Sequence, residues 1–152
     1  MLRDRRLIPL SRQHQHALAL CVLTRRGLPS GEIAGLAGKI VQTFEIELAN
    51  HFELEEQVLF PICPPLALIA ELIQEHRRLE NLVAGLRTEP SAELLEEFCA
   101  LLTAHVRKEE RDLFEQVQNI LPAGAFDRAG EEIERRAVLA CFSYSEKPPS
   151  IT

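Results

Sequence analysis

Apolar residues recur every three or four positions along most of this chain, and Gly and Pro are concentrated between those stretches. Such spacing is typical of amphipathic helices that bury one face against a core. Leu, Ala, Glu and Arg are abundant, which favours helix over sheet. The pattern predicts five helices, at about residues 11–26, 32–60, 65–86, 91–121 and 125–142.

Residues that favour helix starts stand near the beginning of several of these stretches. Ser11, Ser30 and Ser91 are candidate N-caps, and Pro65 suits a first helical turn. Four amphipathic helices joined by short turns predict an all-α fold, an antiparallel up-down-up-down four-helix bundle with a short additional C-terminal helix. We expect one domain over residues 1–142 and a disordered tail over 143–152.

Charge and cysteine usage exclude several classes of protein. The chain has 17 Lys and Arg against 23 Asp and Glu, so its formal net charge is -6 and no basic face remains for a nucleic-acid partner. No apolar run reaches the roughly 18 residues that span a membrane, and the apolar segment near the start is too short for a signal peptide. The four cysteines form no C-x-x-C motif. We expect a cytoplasmic protein with reduced thiols and no membrane partner.

Three of the five histidines are followed four residues later by a glutamate, and each pair lies on the apolar stripe of a predicted helix. Residues four apart share a helix face, so each pair can direct two ligands to one point. The sequence therefore predicts a metal site in the bundle core. The pairs are His51 with Glu55, His76 with Glu80, and His105 with Glu109.

The predicted turns place these pairs at one level of the bundle, because residues at equal distances from a turn face each other on antiparallel helices. The midpoint of His51 and His76 falls in the predicted turn at residues 63–64. The midpoint of His14 and His51 falls just past the turn at 29–31, and that of Glu80 and His105 just past Pro90. The spacing within helices and the spacing between them point to the same site.

The residue types indicate which metal this site takes. Several ionised carboxylates in an apolar core are costly without a cation. Imidazole nitrogens together with carboxylate oxygens suit iron or manganese, and zinc less well. A carboxylate can also bridge two metal ions through its two oxygens.

At these residues the chain resembles the hemerythrin-like family, also called HHE cation-binding domains, over about residues 10–121. The resemblance is carried by four segments, one on each predicted bundle helix. They are Ser-Arg-Gln-His14-Gln-His16-Ala-Leu, His51-Phe-Glu-Leu-Glu55-Glu-Gln-Val-Leu-Phe-Pro61, Glu-His76-Arg-Arg-Leu-Glu80 and His105-Val-Arg-Lys-Glu109-Glu-Arg-Asp-Leu-Phe114.

The resemblance implies a centre of two iron ions. It makes His14 and His51 ligands of one iron and His76 and His105 ligands of the other. Glu55 and Glu109 would bridge the pair.

Glu80 stands where the oxygen-carrying hemerythrins have another histidine. The resemblance would therefore make it a carboxylate ligand of the second iron. An anion at that place should stabilise the ferric state, which argues against simple reversible oxygen carriage.

Three assignments have alternatives. His16 competes with His14 on the first helix, and Glu110 competes with Glu109 on the fourth. Glu80 is either a ligand or a surface partner of Arg77.

The expected function follows from a buried di-iron centre that small molecules can reach. We expect the protein to bind or sense a diatomic ligand, oxygen or nitric oxide, or to respond to redox state. The alternatives are a di-iron redox enzyme, such as a peroxidase or a nitric-oxide-handling protein, and an iron-delivery or repair protein. No catalytic residue outside the ligand set is evident. The fifth helix is expected either to cover the bundle end or to form a homodimer contact.

Overall fold

The computed structural model describes residues 2–139, which are helical apart from the chain ends and short connections and contain no strand. The first bundle helix is α1 (Ile8–Gly27). The second consists of α2 (Ile33–Thr43) and α3 (Ala49–Leu54), each continued by a π turn, at Phe44–Leu48 and Glu55–Leu59. The third is α4 (Ala67–Thr88). The fourth consists of α5 (Ala92–Lys108), the π turn Glu109–Leu113 and α6 (Phe114–Ile120).

A shorter helix, α7 (Ala123–Arg136), follows the fourth bundle helix. Contacts of α1 with α2 and α5, of α4 with α5, and of α2 with α4 close the bundle. The all-α bundle with an additional C-terminal helix is thus confirmed. The domain end predicted at residue 142 and the tail predicted over 143–152 lie outside the described residues.

The predicted helix starts are confirmed in one case and wrong in the others. Ser91 is an N-cap, because its hydroxyl accepts a hydrogen bond from the Leu94 N–H at 3.1 Å. Ser11 lies inside α1, since an additional turn (Arg5–Leu7), capped by Asp4, precedes that helix. Ser30 ends a short 3-10 turn before α2. Pro65 lies in the extended connection before α4.

The turn between α1 and α2 depends on a glycine. Gly31 has φ of 79°, in the left-handed region that residues with a Cβ rarely adopt. Its N–H donates to the Leu28 carbonyl at 3.1 Å, which closes the turn. The chain can therefore reverse direction within a few residues and run antiparallel to α1.

Two apolar clusters fill the bundle, and a layer of polar side chains separates them. One cluster lies towards the turn between α1 and α2 and includes Leu20, Ile40 and Phe98. The other lies at the opposite end, where Phe126 and Ile133 of α7 complete it. Helix α7 therefore covers one end of the bundle, which is one of the two roles expected for it. The homodimer contact stays a prediction.

Replacing the confirmed N-cap tests the start of α5. Ser91→Ala leaves the Leu94 N–H without its side-chain acceptor and is expected to lower the free energy of unfolding by about 1 kcal/mol. Ser91→Asp keeps an acceptor at the same place and should retain most of the stability. Urea denaturation measures both; equal midpoints for the wild type and Ser91→Ala would show that this cap contributes nothing.

Candidate metal centre

Six polar side chains form the layer between the two apolar clusters, and none of them is more than 2% exposed. We call this set the buried cluster: His14, His51, Glu55, His76, His105 and Glu109. The Glu109 Oε1 lies 2.8 Å from the His14 Nε2, and the Glu55 Oε1 lies 3.0 Å from the His76 Nε2. The same two carboxylates also lie close to the other two histidines. The Glu55 Oε2 is 3.1 Å from the His51 Nε2, and the Glu109 Oε2 is 3.3 Å from the His105 Nε2.

The buried cluster divides into two overlapping groups of four residues. In each group the candidate ligand atoms lie within 4.8 Å of one another. The first position is formed by His14, His51, Glu55 and Glu109, and the second by Glu55, His76, His105 and Glu109. Both carboxylates belong to both groups, so the arrangement can hold two cations that share Glu55 and Glu109.

A π turn begins at each of these two glutamates. The Phe60 N–H donates to the Glu55 carbonyl and the Phe114 N–H to the Glu109 carbonyl, each spanning five residues instead of four. Such widened turns are rare and often mark functional sites within helices. Here each keeps the residues that follow, Leu59 and Leu113 among them, on the buried face of its helix.

The two π turns share one sequence, His-x-x-x-Glu-Glu-x-x-Leu-Phe, and its adjacent glutamates hold one histidine of another helix. Glu55 contacts the His76 Nε2, and the Glu56 Oε2 lies 2.6 Å from the His76 Nδ1. Glu109 and Glu110 contact His14 in the same way, with the Glu110 Oε2 2.6 Å from the Nδ1.

The two remaining histidines also have an acceptor at Nδ1. The His51 Nδ1 lies 2.8 Å from the Gln13 amide oxygen, and the His105 Nδ1 lies 2.7 Å from the Glu75 Oε1. All four Nδ1 atoms therefore face an acceptor outside the buried cluster, an arrangement that favours an Nδ1–H donated outwards and an Nε2 lone pair available to a cation at the centre. This tautomer is the one that metal-binding histidines need, because an acceptor at the other nitrogen orients the ring and makes it a better ligand.

Burial and contacts within the buried cluster shift the pKa values of its two glutamates in opposite directions. Burial and the neighbouring Glu109 raise the pKa of Glu55 well above its ordinary value. Burial alone would raise the pKa of Glu109 too, but contacts with His105, His14 and His51 lower it well below.

The histidines divide in the same way. Burial lowers the pKa of His51 to about 4, with a contribution from His14, and that of His76 to about 3. For His105 the Glu109 and Glu75 carboxylates outweigh burial and raise the pKa to about 9.

Several atoms of the buried cluster have no hydrogen-bond partner among residues 2–139. They are His51 Nε2, His105 Nε2, Glu55 Oε2 and Glu109 Oε2. Unsatisfied polar atoms at full burial are costly, and all four of these belong to side chains of the shared site. A bound cation would satisfy them together, so the donor set fits a metal pair.

Phenylalanines enclose the cluster. The Phe52 ring stacks on His76 with ring centroids 3.9 Å apart, and Phe114 stacks on His14 at 5.5 Å. The Phe60 ring is also nearly parallel to the His76 ring, with centroids 6.1 Å apart. These rings hold the imidazole planes in place and keep water away from them.

The structure does not bring Glu80 to the buried cluster. Its side chain is 37% exposed and pairs with Arg77 at 3.0 Å, which is the alternative that the sequence left open. The turn between α4 and α5 is centred near residue 90, so it is His76, not Glu80, that faces His105, with ring centroids 4.9 Å apart. The expectation that Glu80 stabilises a ferric ion therefore has no support in this geometry.

The other two alternatives are also placed by the structure. His14 lies in the cluster, whereas the His16 ring is 22% exposed and its Nδ1 lies 2.8 Å from the Glu47 Oε2. Glu109 lies in the cluster, whereas Glu110 takes the outer place beside His14 and also accepts a hydrogen bond from the Ser11 hydroxyl at 2.7 Å.

Sequence reasoning missed three of the four residues that contact the Nδ1 atoms, and it considered the fourth, Glu110, only as an alternative ligand. The three were visible as neighbours of predicted ligands: Gln13 and Glu75 precede His14 and His76, and Glu56 follows Glu55. The repeated Glu-Glu step after two of the histidines was the available signal.

Comparison with known proteins agrees with this arrangement. A model of the hemerythrin HHE cation-binding domain matches residues 9–117, which include all six members of the buried cluster. No curated protein and no solved structure matches the chain. Each helix within residues 2–139 is too short or too polar to cross a bilayer.

Metal binding to the metal-free protein is expected to release protons at pH 7. The imidazole of His105, with a pKa of about 9, holds a proton at that pH, and the raised pKa of Glu55 favours its protonated form. Each proton must leave before its lone pair can bind a cation, so affinity should fall as the pH is lowered. Calorimetric titration with a divalent cation, repeated in buffers of different ionisation heat, measures the release; heats that do not depend on the buffer would contradict it.

Proposed function

The chain belongs to the family of hemerythrin HHE cation-binding domains, and from that membership we propose that it is a non-haem di-iron protein that binds or senses a small diatomic ligand. The ligand would be oxygen or nitric oxide. One iron would be held at the first position by His14 and His51, and the other at the second position by His76 and His105. Glu55 and Glu109 would be shared between them.

The sharing of two carboxylates is the observation that carries this proposal. A single metal site would need only one group of three or four ligands, whereas Glu55 and Glu109 each belong to both groups. Two positive ions side by side repel each other, and two anionic side chains between them offset that repulsion. The buried pair of glutamates is thus suited to a pair of cations.

The donor set favours iron. Two imidazole nitrogens and carboxylate oxygens at each position resemble the ligands of non-haem iron sites that react with oxygen, and such sites keep coordination positions open. Zinc structural sites are usually closed by four ligands and often include thiolate. Within residues 2–139 the cysteines belong to neither group.

The iron pair would supply the electrons and the open coordination that a diatomic ligand requires, and the chain's own residues would control access and orientation. Glu110, Gln13, Glu56 and Glu75 accept from the four Nδ1 atoms and fix the imidazole rings. Burial at 2% exposure or less keeps bulk water from the buried cluster, which limits competing hydrolysis and proton transfer.

The reaction of the reduced, iron-loaded protein with oxygen or nitric oxide tests the function. A binding or sensing protein should give a new visible absorption with a fixed stoichiometry of ligand per chain. Continuous consumption of oxygen, nitric oxide or peroxide would instead support the alternative of a redox enzyme. Transfer of iron to an acceptor protein without any reaction with these ligands would support iron delivery.

A matched pair of glutamine substitutions tests the proposed ligand set. Glu55→Gln leaves a neutral amide that cannot bridge two cations, so at least one of the two metal equivalents should be lost. Glu80→Gln removes a carboxylate of the same size that lies on Arg77, and metal content should stay at the wild-type level. Elemental analysis of the purified proteins measures both. Loss of metal from Glu80→Gln, with Glu55→Gln unaffected, would reverse the assignment.

A further inference from the structure

The contacts of the buried cluster follow an approximate twofold pattern that relates the first two bundle helices to the last two. His51 corresponds to His105, and Glu55 and Glu56 correspond to Glu109 and Glu110. His14 corresponds to His76, each ring lying between two adjacent glutamates.

One pair of corresponding residues breaks the pattern. The residue before His76 is Glu75, whose carboxylate accepts from the His105 Nδ1 and pairs with Lys108. The residue before His14 is Gln13, whose neutral amide accepts from the His51 Nδ1. Gln13 is fully buried, so its amide group needs partners of its own.

Those partners come from Asn50 and from the backbone that follows α7. The Gln13 Nε2 donates to the Asn50 Oδ1 at 2.9 Å and to the Val138 carbonyl at 2.8 Å. The Val138 N–H donates to the same Asn50 Oδ1 at 2.9 Å, and the Asn50 Nδ2 donates to the Arg136 carbonyl at 3.1 Å.

Backbone groups fix the direction of every bond in this chain of contacts. The Val138 N–H can only donate, so the Asn50 atom beside it is the oxygen. The Gln13 atom that faces the Asn50 oxygen and the Val138 carbonyl must then be the NH2 group. The Gln13 oxygen is left facing His51, so the His51 Nδ1 carries the proton and its Nε2 is the free lone pair.

We propose that the backbone at residues 136–138 is a positioning element of the metal centre, which selects the metal-binding tautomer of His51 through Asn50 and Gln13. The element acts on the first position alone, because His105 at the second position is oriented by Glu75 and Lys108. Removing this element should therefore lower the affinity for the metal ion at the first position and leave the affinity at the second position unchanged. This inference rests on the proposed pair of metal ions.

Val138→Pro separates this backbone segment from Asn50. It removes the N–H that donates to the Asn50 Oδ1, and the proline Cδ would occupy the place of that hydrogen bond, so the Val138 carbonyl is also moved away from Gln13. Proline lacks the backbone N–H, and the preceding Ala137 has φ of -67° and ψ of 131°, an extended conformation that a following proline accepts. Val138→Ala keeps the N–H and is the matched control. Asn50→Leu removes the central side chain and provides an independent second variant.

Stepwise anaerobic titration of the full-length chain with ferrous iron measures the two equivalents separately. In Val138→Pro and Asn50→Leu we expect one equivalent to bind about tenfold to a hundredfold more weakly, the usual effect of losing the partner of a ligating histidine. The other equivalent, and both equivalents of Val138→Ala, should match the wild type. Unchanged affinities in Val138→Pro, or an equal loss at both positions, would overturn the proposal.

Nitrogen NMR of the His51 ring in the metal-free protein provides a readout that general destabilisation would not change. The wild type and Val138→Ala should carry the proton on Nδ1, and Val138→Pro should show a mixture of tautomers. A single Nδ1–H tautomer of His51 in Val138→Pro would show that residues 136–138 do not select the tautomer, even if metal binding changed. If the wild-type protein takes up no metal, the proposed function fails, and this measurement still decides the role of residues 136–138.

Discussion

Two glutamates buried at the middle of an apolar bundle are the constraint on which the rest of this structure depends. Glu55 and Glu109 are fully buried, and both lie between apolar clusters that fill the two ends. Ionised carboxylates without a cation are costly in such a place, and in the metal-free protein the pKa values of the two groups are driven in opposite directions. The proposed binding of two cations by four imidazoles and these two carboxylates would offset that cost.

Between the buried cluster and solvent lies a ring of glutamates that are paired with basic side chains. Each outer glutamate contacts a histidine on one side and a basic side chain on the other: Glu110 with Arg3, Glu56 with Arg77, and Glu75 with Lys108. Because these pairs are partly exposed, the acceptors of the Nδ1–H groups stay solvated while the ligand atoms stay dry. Gln13 is the exception, because its amide NH2 donates to the Asn50 oxygen and to the Val138 carbonyl and needs no basic side chain.

Periodicity and turn positions predicted the bundle and placed His51, Glu55, His76 and His105 at one level of it, and they left His16 and Glu110 as alternatives to His14 and Glu109. They failed for Glu80, because the turn centre was taken two residues too late and because a step of four residues runs in opposite directions on antiparallel helices. The π turns at Glu55 and Glu109 were not predictable, since their hydrogen bonds depend on the local packing of each helix. The acceptors at Nδ1 depend on side-chain rotamers of neighbouring helices, which residue spacing does not define.

The central claim is that Glu55 and Glu109 hold two metal ions jointly. Iron content and magnetic susceptibility of the same oxidised, iron-loaded sample test it most directly. Our account predicts two irons per chain whose spins are coupled, because ions bridged by the same ligands interact magnetically. A single iron per chain, or two irons with the independent magnetism of isolated sites, would contradict a shared centre.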